Sequence, residues 1–272
     1  MIKKLALLFF LCLSISSVAQ QKEITLVSWN IRDFGKTKNS EELNTIAEIV
    51  RDADVVALQE VVAGYGGAQA VAKLSDILNR KGAKWDYLIS DPTHSPKYVT
   101  ERYAYLWKTA QIKIKNRGNL IKQIDEAVDR EPFLIDFYFE KTPFTVINFH
   151  SRPFDQNPER EIKAISNYIL NTLTGTVFLA GDFNMNEQEE VFNPLKKKGF
   201  IAALKNQKTT LKNQCSPLGY LNYAIDNIFY SKNIHCIKTG VIDFVGSCDN
   251  LEYARNLSDH LPVFVQFKLN KK

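Results

Sequence analysis

The sequence predicts an α/β sandwich, two packed sheets with helices on their outer faces. Three observations carry this. Strand-like and helix-like segments alternate through the first half of the chain. The middle is dominated by β-branched and aromatic runs. Val55-Val56-Ala57-Leu58 is apolar at every position, as a strand covered on both faces must be. On pattern alone, a single doubly wound sheet fits the same alternation.

The elements follow in order. Ile24 to Trp29 reads as a short strand. Ser40 is placed to cap a helix, with Glu41 and Glu42 in its first turn and Leu43, Ile46, Ala47 and Val50 at helical spacing. After the Val55 to Leu58 strand, Val71, Leu74, Ile77 and Leu78 mark a second helix that stops near Gly82. Tyr87 to Ser90, Tyr103 to Trp107, Ile112 to Ile114, Phe133 to Phe139 and Thr145 to Phe149 read as strands. Asn157-Pro158 opens a helix, with proline at its first position and Ile162, Ile165 and Ile169 on its apolar face. Thr176 to Ala180 is a strand, Glu189 to Lys198 a helix ended by Gly199, and Ala224 to Tyr230 and Val263 to Phe267 are late core strands. There are no repeats and no low-complexity linker, so residues 20–272 read as one domain.

Residues 1–19 read as a secretory signal peptide. Met1-Ile2-Lys3-Lys4 is a basic head, and Leu5 to Leu13 is an apolar run too short to span a bilayer. Ser17-Val18-Ala19 then supplies small residues at the cut. Cys12 follows Leu11 rather than a small residue, which speaks against lipid attachment. The expected location is therefore secreted or periplasmic. Losing Lys3 and Lys4 lowers the formal charge from +5 to +3, a balance that tolerates an anionic substrate without demanding one. Cys215, Cys236 and Cys248 remain, and an oxidising compartment allows one pair among them. Sequence alone leaves all three pairings open, as well as three unpaired thiols.

Several apolar strands run into a polar residue able to bind metal or move a proton. The first ends at Asn30, the next at Gln59-Glu60, a third at His150, and a fourth at Gly181-Asp182-Phe183-Asn184. In α/β folds such strand ends line the functional crevice. Glu60, Asp182 and Asp259, with the amide oxygen of Asn30, suit a hard cation such as Mg²⁺. No Cys/His cluster has zinc spacing. Of the four histidines, His94 and His235 lack acidic or amide-rich neighbours and read as structural. His150 and His260 remain as a proton-transfer pair, with Glu101 and Asp226 available to orient them.

Taken in order, these segments resemble the endonuclease/exonuclease/phosphatase superfamily, and within it the deoxyribonuclease I-like branch. The resemblance is carried by Ser28-Trp29-Asn30-Ile31-Arg32, Leu58-Gln59-Glu60-Val61, Glu101-Arg102-Tyr103 and Arg130-Glu131-Pro132. It continues through Asn148-Phe149-His150-Ser151, Gly181-Asp182-Phe183-Asn184, Ile225-Asp226-Asn227-Ile228 and Ser258-Asp259-His260-Leu261-Pro262. It implies a four-layer sandwich of two mainly antiparallel or mixed sheets flanked by helices. His150 and His260 would be the acid/base pair, oriented by Glu101 and Asp226. Glu60 would be the main metal ligand, with Asn30, Asp182, Asn184 and Asp259 around the metal and the scissile phosphate. Arg130 would bind phosphate and Arg32 the DNA backbone. Two departures stand out. Val62-Ala63-Gly64-Tyr65-Gly66-Gly67 lacks the branch's groove-entering arginine, and Tyr98, the nearest match to its sugar-stacking aromatic, is offset by one residue.

The expected activity is phosphodiester hydrolysis on DNA with little sequence preference. The expected ion is Mg²⁺, with Mn²⁺ as a substitute and Ca²⁺ in a structural or activating role. The chain is expected to be a monomer without stable membrane association. The alternative is the same fold acting on RNA or on a lipid phosphoester, a phosphoinositide or sphingomyelin. A catalytically inactive binding protein would have lost some of these side chains, and none of them is missing.

Overall fold

The computed structural model describes residues 22–96 and 99–269; the expected leader and Tyr98 lie outside them. The first sheet has six strands in the order β14-β15-β1-β2-β4-β3. These are β1 (Ile24–Phe34), β2 (Val55–Val62), β3 (Trp85–Ile89), β4 (Glu101–Lys108), β14 (Ile234–Val241) and β15 (Val263–Leu269). The second has seven strands, ordered β10-β13-β9-β8-β7-β5 with β6 added beside β7. They are β5 (Ile112–Ile114), β6 (Asn119–Leu120), β7 (Phe133–Phe139), β8 (Thr142–His150), β9 (Val177–Asp182), β10 (Phe200–Ala202) and β13 (Asp226–Ser231). Each sheet holds one parallel pair, β1 with β2 and β8 with β9, in an otherwise antiparallel ladder. Two mixed sheets therefore replace the single doubly wound sheet that pattern alone allowed.

Side-chain alternation builds the layers. In β1, Ile24 and Leu26 face the core between the sheets, whereas Val27, Trp29 and Ile31 face α1 (Ser40–Val50) and α2 (Tyr65–Asn79). In β8, Phe144 and Val146 join the central core, and Ile147 and Phe149 pack under α3 (Pro158–Thr172) and α4 (Asn193–Lys197). The apolar run at Val55 to Leu58 divides in the same way, Val55 and Ala57 inward and Val56 and Leu58 outward. The helix α1 is capped one residue earlier than expected. Asn39 accepts from the backbone of Glu41 and Glu42, and Glu42 returns a bond to the Asn39 amide. The segment from Glu189 to Lys198 is not one helix. It is a 3₁₀ turn at Glu190–Phe192 followed by α4, and Gly199 ends it at φ 92°.

Several elements had no clear signal, among them β6, β10, the hairpin of β11 (Leu211–Ser216) and β12 (Gly219–Leu221), the strand β14, and α5 (Leu251–Leu257). The hairpin and α5 form a side lobe with its own small core of Leu211, Val245, Leu251, Ala254 and Leu261. Cys215 and Cys248 staple this lobe, and Cys236 is free. Where three pairings or none were open, the structure selects one.

Polar struts join the sheets beneath the crevice. Gln59 Nε2 donates to Asn148 Oδ1 at 2.5 Å, and Asn148 Nδ2 donates to Leu58 O at 3.0 Å. Gly181 brings β9 against β8: its φ is 152°, and a Cβ there would stand 1.7 Å from Phe149 O. Gly181→Ala therefore must push apart the strands that carry His150 and Asp182. We expect it to lower thermal stability sharply and to abolish any activity of the crevice, as read by a thermal melt; a wild-type melting temperature would contradict the packing.

Candidate functional site

The two parallel pairs set the geometry. Because β8 and β9 run together, His150 sits directly opposite Asp182. Asp226, the first residue of antiparallel β13, is paired with Asp182 from the other side. Glu101 opens β4, which runs against β2, and so reaches the same edge as Glu60. Strand starts as well as strand ends therefore feed the crevice, where sequence reasoning had looked to strand ends.

Each histidine is held by one carboxylate and aimed at a shared third. His150 Nδ1 lies 3.0 and 3.1 Å from the two oxygens of Glu101, and its Nε2 is 3.7 Å from Asp182 Oδ2. His260 Nδ1 lies 3.1 and 2.9 Å from the oxygens of Asp226, and its Nε2 is 3.8 Å from the same Asp182 Oδ2. The carboxylates place the ring protons on Nδ1 and leave Nε2 facing the crevice.

These environments shift the titrations. Burial opposes charge on His150, yet Glu101 raises its pKa above the ordinary histidine value. Burial opposes charge on His260 too, but Asp226 and then Asp182 push it up to about 10. Burial raises the Asp182 carboxyl, and Asp226 adds to this against the pull of the two histidines.

The remaining positions surround this triangle. Asn30 Nδ2 donates to Glu60 Oε1 at 3.0 Å and to Asp182 Oδ2 at 3.2 Å, while its buried Oδ1 has no partner. Glu60 lies within the bulge of β2 at φ 58° and accepts from Asp33 N at 3.2 Å. Asn184 N donates to Asp182 Oδ1 at 2.8 Å, and its side chain donates to Ser151 O at 3.1 Å. Arg130 Nε stands 3.0 Å from Glu101 Oε2, so the expected phosphate ligand reaches the site. Arg32 is half exposed beside Asp33. Asp259 faces Arg255 Nη2 at 3.8 Å, and no contact joins it to Glu60 among the described residues.

Thr209 was missed. Its hydroxyl donates to Asp226 Oδ2 at 2.6 Å and so fixes the carboxylate that orients His260. It lies in an irregular segment seventeen positions before Asp226, without a local motif to reveal it. Ser258, quoted in a motif but given no role there, donates to Asn30 O at 2.6 Å and accepts from His260 N at 3.0 Å, tying His260 to β1.

The sequence model described as the Endonuclease/Exonuclease/phosphatase family matches residues 27–260. The chain belongs to that family. Within it, the chain falls in the deoxyribonuclease I-like branch. It is 29% identical to a protein named Deoxyribonuclease from Thioalkalivibrio sp. (strain K90mix), over 91% of this chain and 72% of that one. It is 29% identical to Deoxyribonuclease-1 of Bos taurus over 59% of this chain, and that match spans 60% of the bovine protein. It is 24% identical to human Deoxyribonuclease-1-like 1 over 98% and 90% of the two chains. Among solved structures, a family protein from Bacteroides thetaiotaomicron superposes with a TM-score of 0.67 at 17% identity, over 93% of this chain and all of that one. The mannosyl-6-phosphatase Bt3783 from the same organism gives 0.65 at 16%, over 90% and 99%.

The pKa of His260 makes a direct check of this electrostatic arrangement. In chelator, its imidazole should titrate near 10 by NMR, and Asp226→Asn should move the titration down toward 6.5. Because the folded pKa is raised, the stability contributed by this pair is complete below about pH 6.5 and is lost as pH climbs through 10. A His260 that titrates normally with Asp226 intact would refute the pairing.

Proposed function

We propose that the chain is an exported, divalent-metal-dependent endonuclease that hydrolyses DNA phosphodiesters with little sequence preference. The observation that carries this reading is the pair of carboxylate-held histidines whose Nε2 atoms converge within 3.8 Å of one Asp182 oxygen. Phosphodiester hydrolysis needs a proton taken from water and a proton given to the departing oxygen. Two imidazoles, each with Nδ1 fixed by a carboxylate and Nε2 facing the crevice, suit that exchange. Arg130, held beside Glu101, supplies a fixed positive charge for the phosphate, and the Asn184 side chain lies at its rim.

The residues present fit a hard cation. The unpartnered Asn30 Oδ1 is buried beside Glu60 and Asp182, and an orphaned oxygen in such a place calls for a positive ligand. Asn30, Glu60 and Asp182 would hold Mg²⁺ or Mn²⁺. Among the described residues Asp182, Asp226 and His260 also stand within metal-binding reach of one another. Asp226, however, is already engaged by Thr209 and by His260 Nδ1, which favours the Asn30 side. A divalent ion there supplies charge for the phosphate oxygens and acidifies the attacking water. The Cys215–Cys248 bond is of a kind that an oxidising compartment sustains, and this supports export. No described helix is long and apolar enough to cross a membrane.

His150→Ala and His260→Ala should each reduce nicking of supercoiled plasmid in Mg²⁺ by at least a hundredfold while leaving the fold intact by circular dichroism. Full activity in both variants would sink the mechanism. EDTA should stop the reaction, with Mg²⁺ or Mn²⁺ restoring it, and cleavage that persists in chelator would exclude the metal. Affinity should also fall steeply with added salt, as contacts to a phosphate backbone require.

A further inference from the structure

Beside the catalytic edge lies an open cleft of about 540 Å³ that the acid/base chemistry does not use. Its walls carry two exposed aromatic rings, Phe154 at 72% and Tyr223 at 63% exposure, with buried Met185 among the lining residues. Asn184, which donates to the Asp182 carboxylate, lines the same cleft. The charged groups in its lining are Asp155 and Glu189, and no lysine or arginine is among them. A phosphate would be repelled there. A flat, neutral group with N–H donors would be welcomed, stacked on the rings and hydrogen-bonded to the carboxylates.

These rings sit on rigid supports. The Tyr223 carbonyl accepts from the amides of Thr209 and Thr210 at 2.7 and 3.1 Å, and its own amide donates to Thr210 Oγ1 at 2.8 Å. Thr209 is the residue that holds Asp226, so the ring and His260 share one anchor. Phe154 opens a short 3₁₀ turn closed by Gln156 N to Pro153 O at 2.9 Å. That turn is braced by Arg152, whose Nη1 donates to Gln156 O at 3.3 Å and whose Nε donates to the buried Glu161 at 3.0 Å. Two exposed rings on braced backbone at one cleft offer a preorganised stacking surface.

We propose that the cleft between Phe154 and Tyr223 is a base-binding subsite that takes one unstacked nucleobase next to the scissile phosphate. The subsite makes single strands, or duplex with a base already unpaired, the preferred substrate. Bases within intact duplex are stacked and cannot enter without a cost of a few kcal/mol, while base-on-aromatic stacking is tolerant of sequence. This inference rests on the nuclease reading above.

The test is a cycle that removes the base and the rings separately. Cleavage of a short single-stranded oligonucleotide is compared with that of the same strand made abasic at each position flanking the cut, for wild type, Phe154→Ala, Tyr223→Ala and the double variant. On the intact strand each substitution should lower kcat/KM roughly tenfold, chiefly through KM. One abasic position should cost the wild type a similar factor, and at that position the effect of the substitutions should shrink several-fold. Tyr223→Phe should keep most of the activity, because the ring alone is required. A 2-aminopurine at the sensitive position, bound to His150→Ala protein in chelator, should be quenched less when Phe154 or Tyr223 is also removed. Equal losses on intact and abasic strands would overturn the subsite while leaving the nuclease reading standing. A wild type that cuts no nucleic acid would overturn both. Loss of hydrolysis of a sugar phosphate such as mannose 6-phosphate, with oligonucleotide cleavage retained, would assign the cleft to a carbohydrate instead.

Discussion

Burial of the Asp182 carboxylate is the constraint from which the site is built. With the residue only 1% exposed, an unpaired ionised group there would cost several kcal/mol. Each partner that relieves the cost is a functional group. Oδ1 accepts from Asn184 N, Oδ2 accepts from Asn30 Nδ2, and both imidazoles bring Nε2 within 3.8 Å of Oδ2. The histidines cannot retreat, because Glu101 and Asp226 grip their far nitrogens. Asp182 cannot retreat either, because Gly181 locks its strand against Phe149. The position of one carboxylate thus fixes the spacing of the proton-transfer pair.

The sandwich makes that convergence possible. Asn30, Glu60 and Glu101 come from one sheet, and His150, Asp182 and Asp226 from the other. Any sliding of the sheets would separate them. The apolar layer between the sheets resists separation but is poorly directional. The Gln59–Asn148 bond is directional, fully buried and one residue from Glu60. Tyr105 adds a second tie, its hydroxyl standing 2.9 Å from the carbonyls of Phe133 and Val146 across the core. Gln59 had read in sequence as part of a site-lining strand end; its structural work is to hold the two halves of the site in register.

What was legible in the sequence follows from locality. The apolar periods of α1, α2, α3 and the central strands are local, and the buried faces of those elements match them. His150 and Asp182 were visible because each ends an apolar strand. Residues whose role is set by a distant partner were not visible from pattern. Thr209 acts on Asp226, and Ser258 bridges β1 to His260, through contacts that no spacing rule describes. The side lobe was missed because its apolar residues are few and its strands half exposed; a core that small gains from a covalent staple. The cap at Asn39 rather than Ser40 was a choice between two adjacent capping types, settled by which side chain could reach the amides of Glu41 and Glu42.

Backbone strain gathers around the same edge. Among the described residues, six non-glycine positions have positive φ, and Asp33, Glu60 and Asn184 are three of them. Each such residue costs of order 1 kcal/mol or more, and an aspartate or asparagine bears it better than a glutamate does. Glu60 therefore holds its conformation because the fold forces it. The bulge in β2 turns the chain there, Asn30 and Asp33 grip the carboxylate, and Val61 behind it is fully buried. Glycine at that position would relax the backbone and delete the carboxylate. The strain is retained because the carboxylate has to stand at that turn, where it accepts from the Asn30 amide nitrogen.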